Sequence, residues 1–156
     1  MKKLQIRSDR AMIDLGEFLG ERVRPGDLLF LSGELGAGKT TLVKGIAKGM
    51  EIGSNITSPT FQLLKTYQGK FSLNHIDLYR LSSDAEMEIL ELEEVVPEGV
   101  TIVEWGDLIK DRLFNEYLEI IIQFGDTVTS RRVTLIPFGI RYGRLIEELN
   151  NVDFRV

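Results

Sequence analysis

The sequence predicts an α/β fold, a three-layer sandwich whose mixed sheet is parallel at its centre and antiparallel at its hairpin edges. Two short apolar runs, at 28–31 and 100–103, are typical of buried parallel strands. The first run leads into a glycine-rich loop and an amphipathic helix, while two pairs of strand-like segments flank short turns. At 156 residues without a long linker, the chain is predicted to form one domain, residues 1–156.

The first half of the chain is predicted to form two strand–helix units. A strand over 4–6 precedes a helix capped by Ser8, and a turn over 24–27 leads to the central strand. The apolar residues of the first helix recur at helical spacing: Met12, Leu15, Leu19 and Val23. The helix after the glycine-rich loop ends near Gly49 and has one apolar face: Leu42, Val43, Ile46, Ala47 and Met50.

The second half is predicted to alternate hairpins with helices. The hairpins pair the following segments: 61–67 with 71–76, and 118–122 with 133–136. Ser83 and Glu86 have the spacing of a capping box at the start of a short acidic helix, and a helix over 140–149 follows the second hairpin. Hairpins on either side of the parallel strands account for the antiparallel edges of the predicted sheet.

The strongest functional signal is a phosphate-binding loop between the central strand and the second helix. Residues 33–40 fit the pattern G-x-x-x-x-G-K-[ST] of P-loop NTPase-like folds. Glycines let successive backbone N–H groups turn toward phosphate oxygens at the positive end of the helix. Lys39 adds an ammonium for the β- and γ-phosphates, and Thr40 has a hydroxyl that can bind Mg²⁺. The motif therefore predicts that the protein binds a nucleoside triphosphate with Mg²⁺.

A phosphate loop also needs a carboxylate that organises the metal, usually at the end of a buried strand. Glu104 directly follows an apolar run and is the first candidate, and Asp77 at the end of a hairpin strand is the second. The residues alone leave open which of these two carboxylates dominates. Thr60 lies in a polar loop from which switch residues can reach the γ-phosphate, but on the residues alone an ordinary Ser-Pro-Thr turn is the preferred interpretation. His75, the only histidine, is interpreted as a hydrogen-bonded structural residue.

Composition excludes several classes of function. The chain has 19 basic and 24 acidic residues, and the net charge of −5 argues against a protein that grips nucleic acid alone through phosphate contacts. It has no cysteine, and therefore no thiolate metal site or cysteine nucleophile. No apolar run approaches the ~18 residues of a membrane span, and the N-terminus lacks the apolar core of a signal peptide. We therefore expect a cytoplasmic protein that does not associate with membranes.

Four motifs, in this order along the chain, resemble the TsaE (YjeE) family, the bacterial ATPase subunit of the machinery that makes threonylcarbamoyladenosine (t6A) in tRNA. The motifs are GELGAGKTT at 33–41, SPTF at 58–61, HIDLYRL at 75–81 and Glu-Trp at 104–105. The resemblance covers nearly the whole chain. It implies a subunit that binds ATP and Mg²⁺ and supports t6A modification of adenosine 37 together with the TsaD and TsaB subunits. It also implies that tRNA is held within the complex rather than by this chain alone.

The resemblance assigns roles to particular residues. The catalytic and metal positions correspond to the following residues: Lys39, Glu104, Asp77 and Thr60 for catalysis, and Thr40, Glu104 and Asp77 for Mg²⁺. The nucleotide contacts correspond to these residues: Ser8, Gly33, Glu34, Leu35, Gly36, Ala37, Gly38, Lys39, Thr40, Thr41, Trp105, Asp107 and Arg132. The family commonly reads Glu-Trp-Pro-Glu where this chain reads Glu-Trp-Gly-Asp at 104–107, which leaves the role of Asp107 open.

We interpret the chain as a Mg²⁺-dependent ATPase that is weak alone and stimulated by its partners. Two other hypotheses use the same loop: a small-molecule kinase, and a nucleotide-sensing interaction module in which hydrolysis is incidental. The chain has neither the Asn-Lys-x-Asp signature of guanine selection nor an arginine-dense lid segment, which disfavours a GTPase and a metabolite kinase. The oligomeric state, the docking surface and the step that hydrolysis drives are left open.

Overall fold

The computed structural model describes residues 1–57, 64–78, 92–105 and 114–154. The strands in these ranges are β1 (Lys2–Ile6), β2 (Leu28–Gly33), β3 (Leu64–Gln68), β4 (Ser72–Asp77), β5 (Val100–Glu104), β6 (Tyr117–Phe124) and β7 (Arg131–Phe138). The helices are α1 (Asp9–Gly20), α2 (Lys39–Gly49), the short α3 (Leu92–Val95) and α4 (Ile140–Glu148), with 3-10 turns at Val96–Glu98 and Leu149–Asn151. None of the helices in these ranges is long and apolar enough to cross a bilayer. The helix predicted from Ser83 lies outside the described residues.

The strands form a seven-stranded mixed sheet in the order β1-β7-β6-β2-β5-β4-β3. The central strands β6, β2, β5 and β4 are parallel, whereas β7, β1 and β3 pair antiparallel with their neighbours. The predicted parallel centre and antiparallel edges are therefore confirmed. Because parallel strands all end on one side of the sheet, the C-terminal ends of β6, β2, β5 and β4 lie together. We call this side the carboxyl edge.

The central strand β2 is buried on both faces, as its unbroken apolar run predicts. Leu29 and Leu31 belong to the large core cluster that also contains the apolar faces of α1 and α2. Leu28 and Phe30, which alternate with them along the strand, belong to a second cluster with Leu92 of α3. Apolar side chains therefore pack on both faces of the sheet at β2. The phosphate loop follows directly from this buried strand.

Helices α1 and α2 lie against each other on one face of the sheet. Ser8 caps α1 as predicted, because its hydroxyl accepts a hydrogen bond of 3.1 Å from the backbone N–H three residues later. A Cβ on Gly20 would lie 2.1 Å from the carbonyl oxygen of Ile46, and one on Gly45 would lie 2.3 Å from that of Ile13. Only glycine fits at such distances, so the helix that follows the phosphate loop packs directly on the backbone of α1.

The end of the sheet opposite the carboxyl edge is held by α4. Arg141 forms two contacts with the carboxylate of the buried Asp27, at 2.8 and 3.3 Å. The hydroxyl of Tyr142 accepts a hydrogen bond of 2.8 Å from the backbone N–H of Leu28, the first residue of β2. Burial raises the pKa of Tyr142 to about 12, because the phenolate would lose its hydration there. These contacts fasten the start of β2, far from its carboxyl end.

Candidate functional site

The phosphate loop runs along the carboxyl edge from the end of β2 to the start of α2. Gly36 and Gly38 have φ angles of 81° and 114°, in the left-handed region that favours glycine. Gly38 is the N-cap of α2, and no side chain of the described residues caps this helix end. The turned backbone of the loop and the positive end of the helix form a site suited to an anion such as phosphate.

The predicted nucleotide contacts of the loop differ in their exposure to solvent. Its tip is exposed to solvent and consists of three residues: Glu34, Leu35 and Gly36. Ala37 and Lys39 are buried, and Thr40 and Thr41 follow in the first turn of α2. A hydrogen bond of 3.0 Å from the backbone N–H of Ala37 to the carbonyl oxygen of Glu34 closes the loop on itself. Thr40 therefore lies where the helix begins, next to the bend that would surround phosphate.

Lys39 is held at the loop by two contacts. Its Nζ donates a hydrogen bond of 2.7 Å to the carbonyl oxygen of Gly33, at the start of the loop. The same ammonium lies 4.2 Å from the centre of the Trp105 ring, which is a cation–π contact. Trp105 has a φ angle of 58°, an uncommon backbone conformation for a residue with a large side chain. The residue after β5 is thus in contact with the phosphate loop.

The two candidate carboxylates lie at the ends of adjacent strands. Asp77 and Glu104 are register partners in the parallel pairing of β4 with β5, and β5 is the neighbour of β2. Adjacent strands are about 4.8 Å apart, so both residues lie close enough to contribute to one metal site. Glu104 is buried and Asp77 is half-buried. Together with the hydroxyl of Thr40 they offer the oxygen donors that Mg²⁺ prefers, so the residues present fit this ion.

His75 contacts the candidate catalytic carboxylate directly. Its Nε2 lies 2.7 Å from Oε2 of Glu104, and the two side chains are 0% and 5% exposed. Its other ring nitrogen, Nδ1, has no hydrogen-bond partner in the described part of the chain. The histidine is hydrogen-bonded, as predicted, but the sequence interpretation missed its partner. No local signal could have found this contact, because it joins two strands whose pairing the sequence does not specify.

A second residue that the sequence interpretation missed is Arg131. Its Nε donates a hydrogen bond of 2.8 Å to the carbonyl oxygen of Ala37 in the phosphate loop. Arg132, the residue that the resemblance implicates, is exposed, and its Nη2 lies 3.5 Å from the carbonyl oxygen of Phe124. Successive residues of a strand face opposite sides of the sheet, so the side chains of Arg131 and Arg132 leave β7 on opposite faces. The role of Arg132 as a nucleotide contact stays a prediction.

Three predicted site residues remain, of which the structure describes one, Ser8. β1 runs in the same direction as β6, so Ser8 follows a strand that also ends at the carboxyl edge. Its hydroxyl caps α1, so any contact with a nucleotide would be an additional role. Thr60 and Asp107 lie outside the described residues.

The strand–loop–helix unit, the mixed sheet and the adjacent carboxylates define the protein as an α/β protein of the P-loop NTPase-like class. Its fold is similar to the crystal structure of YdiB from Bacillus subtilis, with a TM-score of 0.80 and 34% sequence identity over 96% of this chain and 93% of that one. The sequence model of the family described as threonylcarbamoyl adenosine biosynthesis protein TsaE matches residues 6–133. The chain therefore belongs to the TsaE family.

Relatives named tRNA threonylcarbamoyladenosine biosynthesis protein TsaE resemble the chain over most of its length. The protein from Bacillus subtilis is 44% identical over 133 residues, which cover 83% of this chain and 82% of the relative. The protein from a Nostoc species is 37% identical over 153 residues, which cover 94% and 92%. The match to the family model, at residues 6–133, spans the positions of the phosphate loop, both candidate carboxylates and Arg131.

Proposed function

We propose that this protein is an ATP-binding and ATP-hydrolysing accessory subunit for t6A modification of tRNA at adenosine 37, acting with TsaD and TsaB in the cytoplasm. The observation that carries the proposal is the position of the buried Glu104 one strand away from a phosphate loop. Membership of the TsaE family supports the biosynthetic role, because the named relatives are t6A biosynthesis proteins. Hydrolysis would support turnover of the complex, whereas the carbamoyl transfer would belong to TsaD.

The phosphate loop would bind the β- and γ-phosphates of ATP through its backbone N–H groups and the ammonium of Lys39. The ammonium is already held at the loop by the carbonyl oxygen of Gly33, so little movement is needed to bring its charge to the phosphates. Lys39 and the oriented N–H groups would then stabilise the negative charge that develops on the phosphoryl oxygens. Trp105 covers the ammonium in this structure and would have to share that contact with the phosphates.

Thr40, Asp77 and Glu104 would hold Mg²⁺, which when bound neutralises charge on the phosphate oxygens. Hydrolysis forms a bond between a water oxygen and the γ-phosphorus while the bond from that phosphorus to the bridging oxygen breaks, which yields ADP and inorganic phosphate. Glu104 would orient the attacking water or accept its proton. The hydrogen bond of 2.7 Å to His75 fixes the direction of this carboxylate before the substrates arrive.

The variant Lys39→Ala tests the mechanism. It removes the ammonium from the loop, so ATP turnover is expected to fall by about 100-fold or more, and t6A formation with TsaD, TsaB and tRNA is expected to fall with it. Lys44→Ala is the matched control, because Lys44 lies on the same helix but is exposed. It should leave both activities intact. Normal t6A formation by Lys39→Ala would contradict the proposed mechanism.

An ATPase assay with and without the partner subunits and tRNA separates the proposed function from its rivals. An accessory ATPase is stimulated by the partners. A small-molecule kinase consumes ATP faster when its metabolite is added and does not respond to the partners. A nucleotide-sensing module binds the partners with different affinity in its ATP and ADP states, and equal affinities in both states would exclude it.

A further inference from the structure

Arg131, the first residue of β7, joins the phosphate loop to the turn between β6 and β7. On the loop side its Nε donates to the carbonyl oxygen of Ala37 at 2.8 Å, and its Nη2 lies 3.5 Å from that of Gly36. On the turn side its Nη1 donates to the carbonyl oxygens of Val128 and Ser130, both at 2.8 Å. Within the described ranges it forms no ion pair with a carboxylate. The guanidinium therefore binds backbone acceptors on two separate segments.

The β6–β7 turn, which holds the guanidinium, is stabilised by hydrogen bonds within the turn. The N–H of Thr127 donates to Oγ of Ser130 at 2.9 Å, and the N–H of Ser130 donates to Oγ1 of Thr127 at 3.1 Å. The N–H of Gly125 donates to the carbonyl oxygen of Ser130 at 2.9 Å. The ring of Phe124 lies 4.9 Å from the guanidinium carbon of Arg131 and covers one side of it. Arg131 therefore contacts the loop from a fixed position.

The carbonyl that Arg131 holds belongs to a residue flanked by two glycines. Ala37 stands between Gly36 and Gly38, and glycine allows a peptide unit to rotate at little steric cost. In a planar trans peptide the C=O and the following N–H point in opposite directions. Holding the carbonyl of Ala37 toward Arg131 therefore keeps the N–H of Gly38 pointing away from Arg131. Phosphate-binding loops depend on N–H groups oriented in this way.

We propose that Arg131 is a positioning residue for nucleotide binding, which presets the Ala37–Gly38 peptide in the orientation that receives the phosphates of a nucleoside di- or triphosphate. Arg131 acts through the loop backbone. Because the β6–β7 turn holds Arg131, this turn also affects the affinity for the nucleotide. The inference rests on the proposed nucleotide site and deepens it. Without Arg131 the peptide would spend time in other orientations, and the apparent affinity would fall in proportion to the binding-competent fraction.

The test compares Arg131→Met, Arg131→Lys and the control Arg144→Met, which replaces an exposed arginine of α4. Calorimetry measures the affinity for ADP and for ATP with Mg²⁺, thermal unfolding is recorded without nucleotide, and NMR of ¹⁵N-glycine-labelled protein reports the amide of Gly38. Arg131→Met should weaken both affinities about tenfold and shift or broaden the Gly38 resonance before nucleotide is added. Arg131→Lys should recover only part of the affinity, because one ammonium does not reproduce the planar fork. Arg144→Met should stay within about twofold of the original protein.

Several results would overturn the proposal. Affinity of Arg131→Met within about twofold of the original protein would do so, as would weaker binding with an unmoved Gly38 resonance. Full recovery of the affinity in Arg131→Lys would show that a positive charge is sufficient and that the planar guanidinium is not needed to position the loop. Loss of affinity in Arg132→Met but not in Arg131→Met would assign the role to Arg132.

The control arms keep this inference separate from the proposed function. If neither the original protein nor Arg144→Met binds ADP or ATP, the proposed nucleotide site is wrong and the positioning role with it. If both bind normally and Arg131→Met binds equally well, only the positioning role fails.

Discussion

Replacing His75 by leucine would remove the hydrogen-bond partner of Glu104 while keeping an apolar side chain in the buried strand β4. The two side chains are 0% and 5% exposed and their hydrogen bond is 2.7 Å long, so water cannot readily replace the lost partner. A buried polar group left unpaired costs about 1–3 kcal/mol, with charged groups at the upper end. We therefore expect the free energy of unfolding to fall by about 2–3 kcal/mol, which for a chain of this size lowers the melting temperature by about 4–12 °C.

The same change should also impair catalysis. Partners that orient a catalytic or metal-binding side chain are typically worth about 10- to 100-fold in activity, and we expect ATP turnover to fall by that factor in His75→Leu. His75→Gln is the matched variant, because its amide N–H can still donate to Glu104, and it should recover most of both losses. Thermal unfolding without nucleotide and partner-stimulated ATP turnover measure the two effects. If both variants unfold at the same temperature and hydrolyse ATP at the same rate, the hydrogen bond neither supports the fold nor orients Glu104.

Three further predictions follow from single side chains. The pKa of Tyr142 is raised from 10.0 to about 12 in the folded protein. The protonated phenol therefore contributes fully to the free energy of unfolding below pH 10, and this contribution is lost as the pH rises toward 12. Tyr142→Phe should reduce this alkaline loss of stability. It should also lower the free energy of unfolding at neutral pH by about 1–3 kcal/mol, because the N–H of Leu28 loses its acceptor. Denaturant unfolding across the pH range measures both effects. Ser8→Ala should lower the free energy of unfolding by about 1 kcal/mol, because it removes the cap of α1. Ser8→Asn should restore this stability, and thermal unfolding measures both variants. Glu104→Ala should abolish ATP hydrolysis while sparing part of nucleotide binding, whereas full hydrolysis in that variant would make Asp77 the main carboxylate.

Several features that depend on neighbouring residues, within the described part of the chain, were predicted correctly. The apolar run of β2, the glycines of the phosphate loop and the periodicity of α2 are local patterns, and the structure has each of them in place. The cap formed by Ser8 is local too, since its acceptor and donor are three residues apart. The close packing of α1 on α2 was not predicted, because the roles of Gly20 and Gly45 appear only when the two helices are placed together.

Local sequence patterns are enough to predict the mixed α/β sheet, the phosphate loop and the two carboxylates at the ends of strands. The contact between Glu104 and His75, and the contact of the loop with Arg131 rather than Arg132, become apparent when the strands are assembled into the sheet. For the two arginines, the register between β6 and β7 determines which side chain faces the loop. Arg131 pairs with Phe124 across the β6–β7 hairpin, and a shift of one residue would move every side chain of β7 to the other face of the sheet. Strand order and register depend on the packing of the whole domain, so contacts between distant strands cannot be derived from the residues that flank each site.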